Sequence, residues 1–177
     1  MTRVAAGRYL LRPFVVADAQ AFAAAVRESA ASVGRWMPWA HDAYSEEQAL
    51  SWFEWCDASR ADGSAHEFGI FLADGQTLIG GGGLNQLNAV HGFCNLGYWV
   101  RESAQRQGAA VAAASALAAY AFGQLQLSRV EIVVAAGNQP SLAVARKAGA
   151  MHECLARNRL RLREGSVDAH VFSLIPD

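Results

Sequence analysis

Between Gly108 and Leu125 the chain carries little but Ala, Val, Leu, Tyr and Phe. Alanine at that density favours helix, and a helix apolar on most sides has no face to offer water. It must be enclosed, and a layer of sheet is the natural wall. The flanking segments supply strands. Asn95–Val100 precedes the helix, and Arg129–Ala135 follows it with Val130, Ile132, Val133 and Val134 branched at Cβ.

The remaining elements follow from local signals. Tyr9–Phe14 reads as a first strand ended by Pro13, and Asp18 as the N-cap of a helix reaching about Ala31. Ser45-Glu46-Glu47-Gln48 has capping-box form and opens a second helix that Asp62-Gly63 stops. Phe68–Leu72 and Thr77–Leu84 flank the turn Ala73–Gln76. Asn138 caps a helix to Ala148 that ends at Gly149, and Met151–Arg163 with Ala169–Ile175 forms a terminal pair around Glu164–Ser166. The order is β-α-α-β-β-β-α-β-α-β-β. It predicts an α/β (α+β) single domain over residues 1–177, with a mixed sheet of about seven strands and about four helices.

Composition excludes several function classes. Of 177 residues, 53% are hydrophobic and 18% charged, and the formal charge is −1. That balance gives no basic field for nucleic acid or an anionic membrane. No apolar run approaches the ~20 residues that span a bilayer, and the opening residues are too polar for a secretory signal. A cytoplasmic protein is expected. Cys56, Cys94 and Cys154 lack paired spacing, and the five histidines form no HExxH or HxH, so no metal is expected. Arg157, Arg159, Arg161 and Arg163 alternate, which puts them on one strand face. That face is either solvated or a surface for an acidic partner.

The candidate chemistry lies at Tyr98–Ala110, a strand, a short turn and a helix start. Amides at such a start lack intrahelical partners and sit at the positive end of the helix dipole. Gly108 and Ala110 let an anion approach closely, and Gln105, Arg106 and Gln107 can add donors. The same residues also suit a plain helix start with small groups for packing. No GxxxxGK[ST] is present. Gly80–Gly83 runs on into Leu84 instead of opening a helix, so it reads as a bent or bulged strand approached by a backbone or a ligand.

Gln105-x-x-Gly108-x-Ala110 resembles the acyl-CoA signature of the GNAT acetyltransferases. Leu11-Arg12-Pro13, Gly97–Val100, Asn138-Gln139-Pro140-Ser141 and Val144–Lys147 with Gly149 are similar to the RimJ/RimL-type branch, which acetylates ribosomal-protein N-termini. The resemblance spans about residues 8–175. It implies a sheet splayed at the cofactor site, with acetyl-CoA as co-substrate between the strand ending at Val100 and that at Arg129–Ala135. By the same resemblance, backbone groups of Trp99 and Val100 meet the pantetheine arm, with the Val100 N–H as oxyanion donor. Gln105, Arg106, Gln107, Gly108, Ala109 and Ala110 hold the pyrophosphate, Asn138 reaches the arm, and Ser141 reaches the sulfur. The tyrosine acid of many relatives is replaced by Ala145, the branch's glutamate base by Leu160, and common glycine and glutamate positions by Arg106 and Ala112. Ser141 is then the proton donor, and Tyr98 is either an aid to deprotonating the amine or a buried structural residue. Glu67, Glu153 and Asp168 are carboxylates that could replace the missing base.

The implied reaction is direct attack by a primary amine in a ternary complex. Without a strong base, an α-amine, roughly 10–15% neutral at pH 7, has an advantage of about 300-fold over lysine, about 0.04% neutral. The expected acceptor is a protein or peptide N-terminal α-amine, and Trp36 and Trp39 are candidates to wall its cleft. The alternatives are a small-molecule amine (amino acid, polyamine or antibiotic) or a non-catalytic acyl-CoA sensor. The resemblance also allows a homodimer.

Overall fold

Ser45 accepts a hydrogen bond from the Gln48 amide at 3.2 Å, while its own amide donates to Gln48 Oε1 at 2.9 Å. This reciprocal cap starts α2 (Glu46–Asp62), and Gly63 ends it at φ 78°. The computed structural model describes residues 2–176. Its other helices are α1 (Ala19–Glu28), α3 (Ala109–Gly123) and α4 (Gln139–Lys147). The strands are β1 (Val4–Ala6), β2 (Tyr9–Arg12), β3 (His66–Leu72), β4 (Leu78–Asn88), β5 (Phe93–Val100), β6 (Arg129–Ala135), β7 (Met151–Leu162) and β8 (Gly165–Leu174).

The sheet therefore has eight strands, one more than the expected seven. The addition, β1, is a three-residue arm paired antiparallel with β2, too short for its alternation to register. The sheet order is β1-β2-β3-β4-β5-β6-β8-β7, and β5–β6 is the one parallel pair among the described residues. One apolar cluster joins α3 and α4 to one face, with Leu117, Ile70, Leu84 and Phe172 fully buried. A second joins α1 and α2 to the other through Phe14, Phe22, Phe53 and Trp99. Burying one side chain such as Leu117 contributes about 1.5–3 kcal/mol.

Asp18 precedes α1 but does not cap it. Its carboxylate accepts two bonds from the Arg12 guanidinium, both 2.8 Å, and one from the Val15 amide. An arginine fork outcompetes a backbone amide for a carboxylate, and α1 ends at Glu28, short of the expected Ala31. Gly80–Gly83 lies within β4, and the β3 register slips beside it, between Ile70 and Phe71. A Cβ on Gly80 would stand 2.1 Å from the Trp99 carbonyl oxygen, so the close approach is made by β5.

The arginine ladder on β7 is interrupted. Its pairing with β8 slips between Ala156 and Leu160, where Asn158 takes φ 50°. Arg163 is not free in solvent either: its Nη2 donates to the Pro38 and Ala40 carbonyls at 3.0 Å each. This ties the β7–β8 turn to the loop that carries Trp36 and Trp39.

Candidate active site

β5 and β6 pair only at Phe93–Arg129, Cys94–Val130 and Asn95–Glu131. Beyond Asn95 they diverge and open a cavity of about 780 Å³ that reaches from Gly108 to Ser141. The Arg101 amide bonds Ile79 of β4 at 2.8 Å. Antiparallel alternation then commits the Trp99 backbone to β4 and turns the Val100 and Tyr98 amides toward the gap. Of the two backbone positions expected to meet the arm, only Val100 faces the opening; Trp99 lines the cavity otherwise.

The turn before α3 twists twice through the left-handed region, at Arg106 (φ 61°) and Gly108 (φ 85°). At Arg106 this conformation costs a residue with a side chain about 1–2 kcal/mol. No side chain caps α3, so the first amides, at Ala109 and Ala110, are left for an outside acceptor. A Cβ on Gly108 would meet nothing within 4 Å, so the approach is clear.

The two glutamines have other work than sequence reasoning gave them. Gln105 Nε2 donates to the Val100 carbonyl at 3.2 Å, closing the turn on itself. Gln107 lies outside the cavity lining; its side chain accepts from Arg8 at 2.9 Å and its carbonyl from the Tyr9 hydroxyl at 2.8 Å. On the far side Glu28 fixes the same turn, accepting from Arg101 and from the Ser103 amide. These bonds pull its carboxyl down to about 2, Arg101 contributing most.

Across the gap, Asn138 Oδ1 accepts from the Ser141 amide at 3.3 Å, a true N-cap. Ser141 Oγ lies 2.9 Å from the Tyr98 hydroxyl, which also reaches the Ser141 carbonyl at 3.3 Å. Burial pushes Tyr98 up to about 12 against the opposing Ser141 bond, so the phenol stays protonated at neutral pH. The pair can donate a proton but cannot act as a base. Trp36 lines this cavity, as does Leu160. Trp39 lines an adjoining hollow beyond β5 that shares Met37, Gly97, Tyr98 and Trp99 with this cavity; Trp52 lines it too, while Trp55 stacks on Trp52 and stays exposed.

Glu67, one of the three carboxylates the sequence offers in place of the missing base, lines that hollow too. Glu153 instead pairs with Arg129 at 2.6 Å, and Asp168 accepts from the Asn158 amide. Asn85, beside Glu67, was missed; no motif marks it.

A sheet parted between two parallel neighbours, with a bare helix start on one side and a hydroxyl pair on the other, has the layout of an acyltransferase. The family model described as acetyltransferase (GNAT) domain matches residues 8–151. The Bacillus subtilis protein YdaF, assigned as a ribosomal N-acetyltransferase, is 31% identical over 163 residues, covering 89% of this chain and 86% of that protein. A Vibrio cholerae structure assigned as a ribosomal-protein-serine acetyltransferase is 30% identical, with a TM-score of 0.84 over 99% of this chain and 98% of that one. Mycobacterium smegmatis RimJ in complex with CoA-disulfide is 25% identical, with a TM-score of 0.87 over 98% and 84%. The chain belongs to the GNAT acetyltransferase family.

Proposed function

We propose that the chain transfers acetyl from acetyl-CoA to the N-terminal α-amine of a protein, of the ribosomal type named for its relatives. The observation that carries the reading is the early end of β5–β6 pairing, which opens a slot beside the Val100 and Tyr98 amides that no strand fills. An extended pantetheine arm fits such a slot as an added strand.

The uncapped Gly108, Ala109 and Ala110 amides fit a diphosphate in charge and in room. Arg106 adds a cation at the cavity wall. The Val100 N–H would donate to the thioester carbonyl as negative charge develops there. Asn138 would orient the arm, and Ser141 would deliver a proton to the leaving sulfur with Tyr98 behind it. Bound acetyl-CoA supplies the activated acyl group. Cys56 and Cys94 are buried, burial pushes both thiols up, and none of the three cysteines lines this cavity, which supports direct attack over an acyl-enzyme. We place the action in the cytoplasm; among the described residues no helix is long and apolar enough to cross a membrane.

Thiol release from acetyl-CoA, measured with peptides bearing free N-terminal Ser, Ala or Met and with free amino acids and polyamines, tests the reading. Peptides should give the highest kcat/KM. Preference for a free small amine would overturn the protein acceptor, and coenzyme A binding with no turnover on any amine would overturn catalysis.

A further inference from the structure

The hollow beyond β5 has a volume of about 310 Å³, room for about ten waters or one amino-acid residue. Phe14, Phe22, Trp39, Tyr44, Trp52 and Trp99 wall it with aromatic carbon. Against that apolar wall stands one carboxylate. Glu67 is 9% exposed, and Oε2 lies 2.0 Å from where a Cβ on Gly83 would be, so the side chain rests on the bare backbone of β4. Gly97, directly beyond Gly83 on β5, likewise leaves the floor open, with nothing within 4 Å of a Cβ placed there.

The carboxylate is incompletely paired. Oε1 accepts from Asn85 Nδ2 at 3.0 Å, and Asn85 Oδ1 accepts in turn from Asn95 Nδ2 at 2.9 Å. Oε2 accepts no hydrogen bond, and Glu67 forms no ion pair, among the described residues. Arg60, the nearby cation, spends Nη2 on the Glu67 backbone carbonyl, and its Nε and Nη1 find no acceptor. An anion buried among aromatic rings with no hydrogen-bonded counter-charge is costly, and Arg60 offsets that cost only through its field. A ligand that brings the cation removes that cost, and the ring faces attract the same charge.

We propose that this cavity seats the acceptor's primary ammonium, and that Glu67 draws it in and takes its proton before attack on the thioester. The proposal rests on the acetyltransferase reading above. The ammonium gives one proton to Glu67. The freed nitrogen pair forms the C–N bond as the C–S bond breaks. The second nitrogen proton balances the one delivered to sulfur, and Glu67 releases its proton to solvent. Burial raises the Glu67 carboxyl above its usual range, with Asn85 and Arg60 opposing, which brings it closer to an ammonium and makes it a better proton acceptor. The other ionisable groups around it are Arg60 and Cys56 of α2, neighbouring His66, Tyr44 and Tyr98. Burial holds both tyrosines at about 12 and the Cys56 thiol up, and it lowers His66, which faces Tyr120 on the opposite side of the sheet.

Glu67→Gln keeps the shape and the Asn85 bond but removes the charge. It should lower kcat/KM for the best acceptor by about 100-fold or more and abolish the acid limb of the kcat/KM–pH profile, with acetyl-CoA affinity within about twofold. Wild-type turnover with a variant within about threefold would overturn the role of Glu67. Wild type inert toward every amine would instead overturn the acetyltransferase reading. A measurement independent of turnover uses tryptophan emission, since Trp39, Trp52 and Trp99 line the hollow. n-Butylammonium should bind wild type at least about tenfold more tightly than n-butanol, a preference of the size expected for a cation against rings and a carboxylate. Equal binding of the two probes would overturn the proposal whether or not the variant folds.

Discussion

The Tyr98–Ser141 hydroxyl pair invites the sharpest test. Two hydroxyls 2.9 Å apart hold two protons, and one is used between them. If Tyr98 donates to Ser141 Oγ, the serine proton is free to point at the leaving sulfur. If Ser141 donates instead, Tyr98 turns to the Ser141 carbonyl at 3.3 Å and no proton is free. With Tyr98 at about 12, fewer than about one in ten thousand phenols are ionised at pH 7.5, so Tyr98 keeps a proton that it can donate to Ser141 Oγ. Ser141→Ala removes the proposed proton donor to the sulfur and should lower kcat by about 10²–10³. Tyr98→Phe removes one neutral hydrogen bond of about 1–1.5 kcal/mol, or about tenfold in rate. Because Tyr98 works through Ser141, the double variant should match Ser141→Ala within about threefold. Single-turnover thiol release at saturating acetyl-CoA isolates the chemical step. A tenfold effect of Tyr98→Phe persisting on the Ser141→Ala background, or a Ser141→Ala variant as fast as wild type, would refute the reasoning.

Two further outcomes concern the frame that holds this site. Glu28 is depressed to about 2 in the folded chain, so its stabilisation is present above the usual value of 4.5 and is lost as pH falls from there through about 2; Tm of Glu28→Gln should therefore fall less steeply over that window than wild type, and equal slopes would remove Glu28 from the account. Gly80→Ala puts a methyl 2.1 Å from the Trp99 oxygen and 2.9 Å from Val100 Cα, so it should destabilise by about 3 kcal/mol in urea. Gly97→Ala meets nothing and should stay within about 0.5 kcal/mol; equal effects would show that β4 and β5 are not in the described register.

The two glycines also separate the two cavities in function. Gly80 lets β5 sit close to β4 where the Val100 amide turns to the gap, whereas Gly97 leaves space on the opposite face beside Glu67. In the proposed reaction one strand would present its backbone edge to the acyl donor and its bare face to the acceptor. That separation suits a reaction in which both substrates are bound before the bond forms.

Much of this molecule is written in short-range signals. The Ser45 cap, the Gly63 and Gly149 stops, the branched run of β6 and the apolar length of α3 depend on residues within a few positions, and each element lies close to where its pattern puts it. The uncapped start of α3 was equally readable, because an unpaired amide there is a property of any helix end. Other features were not readable: the Gln105 bond to the Val100 carbonyl, the Asp18 fork with Arg12, the slip in β7 and the tie from Arg163 to Pro38 and Ala40. The tertiary structure alone decided that β5 and β6 part after Asn95, that Tyr98 meets Ser141 from 43 positions away, and that Glu67 is buried against Asn85. Those meetings depend on strand order and register. Both are set by how whole layers pack, and no local period carries that information.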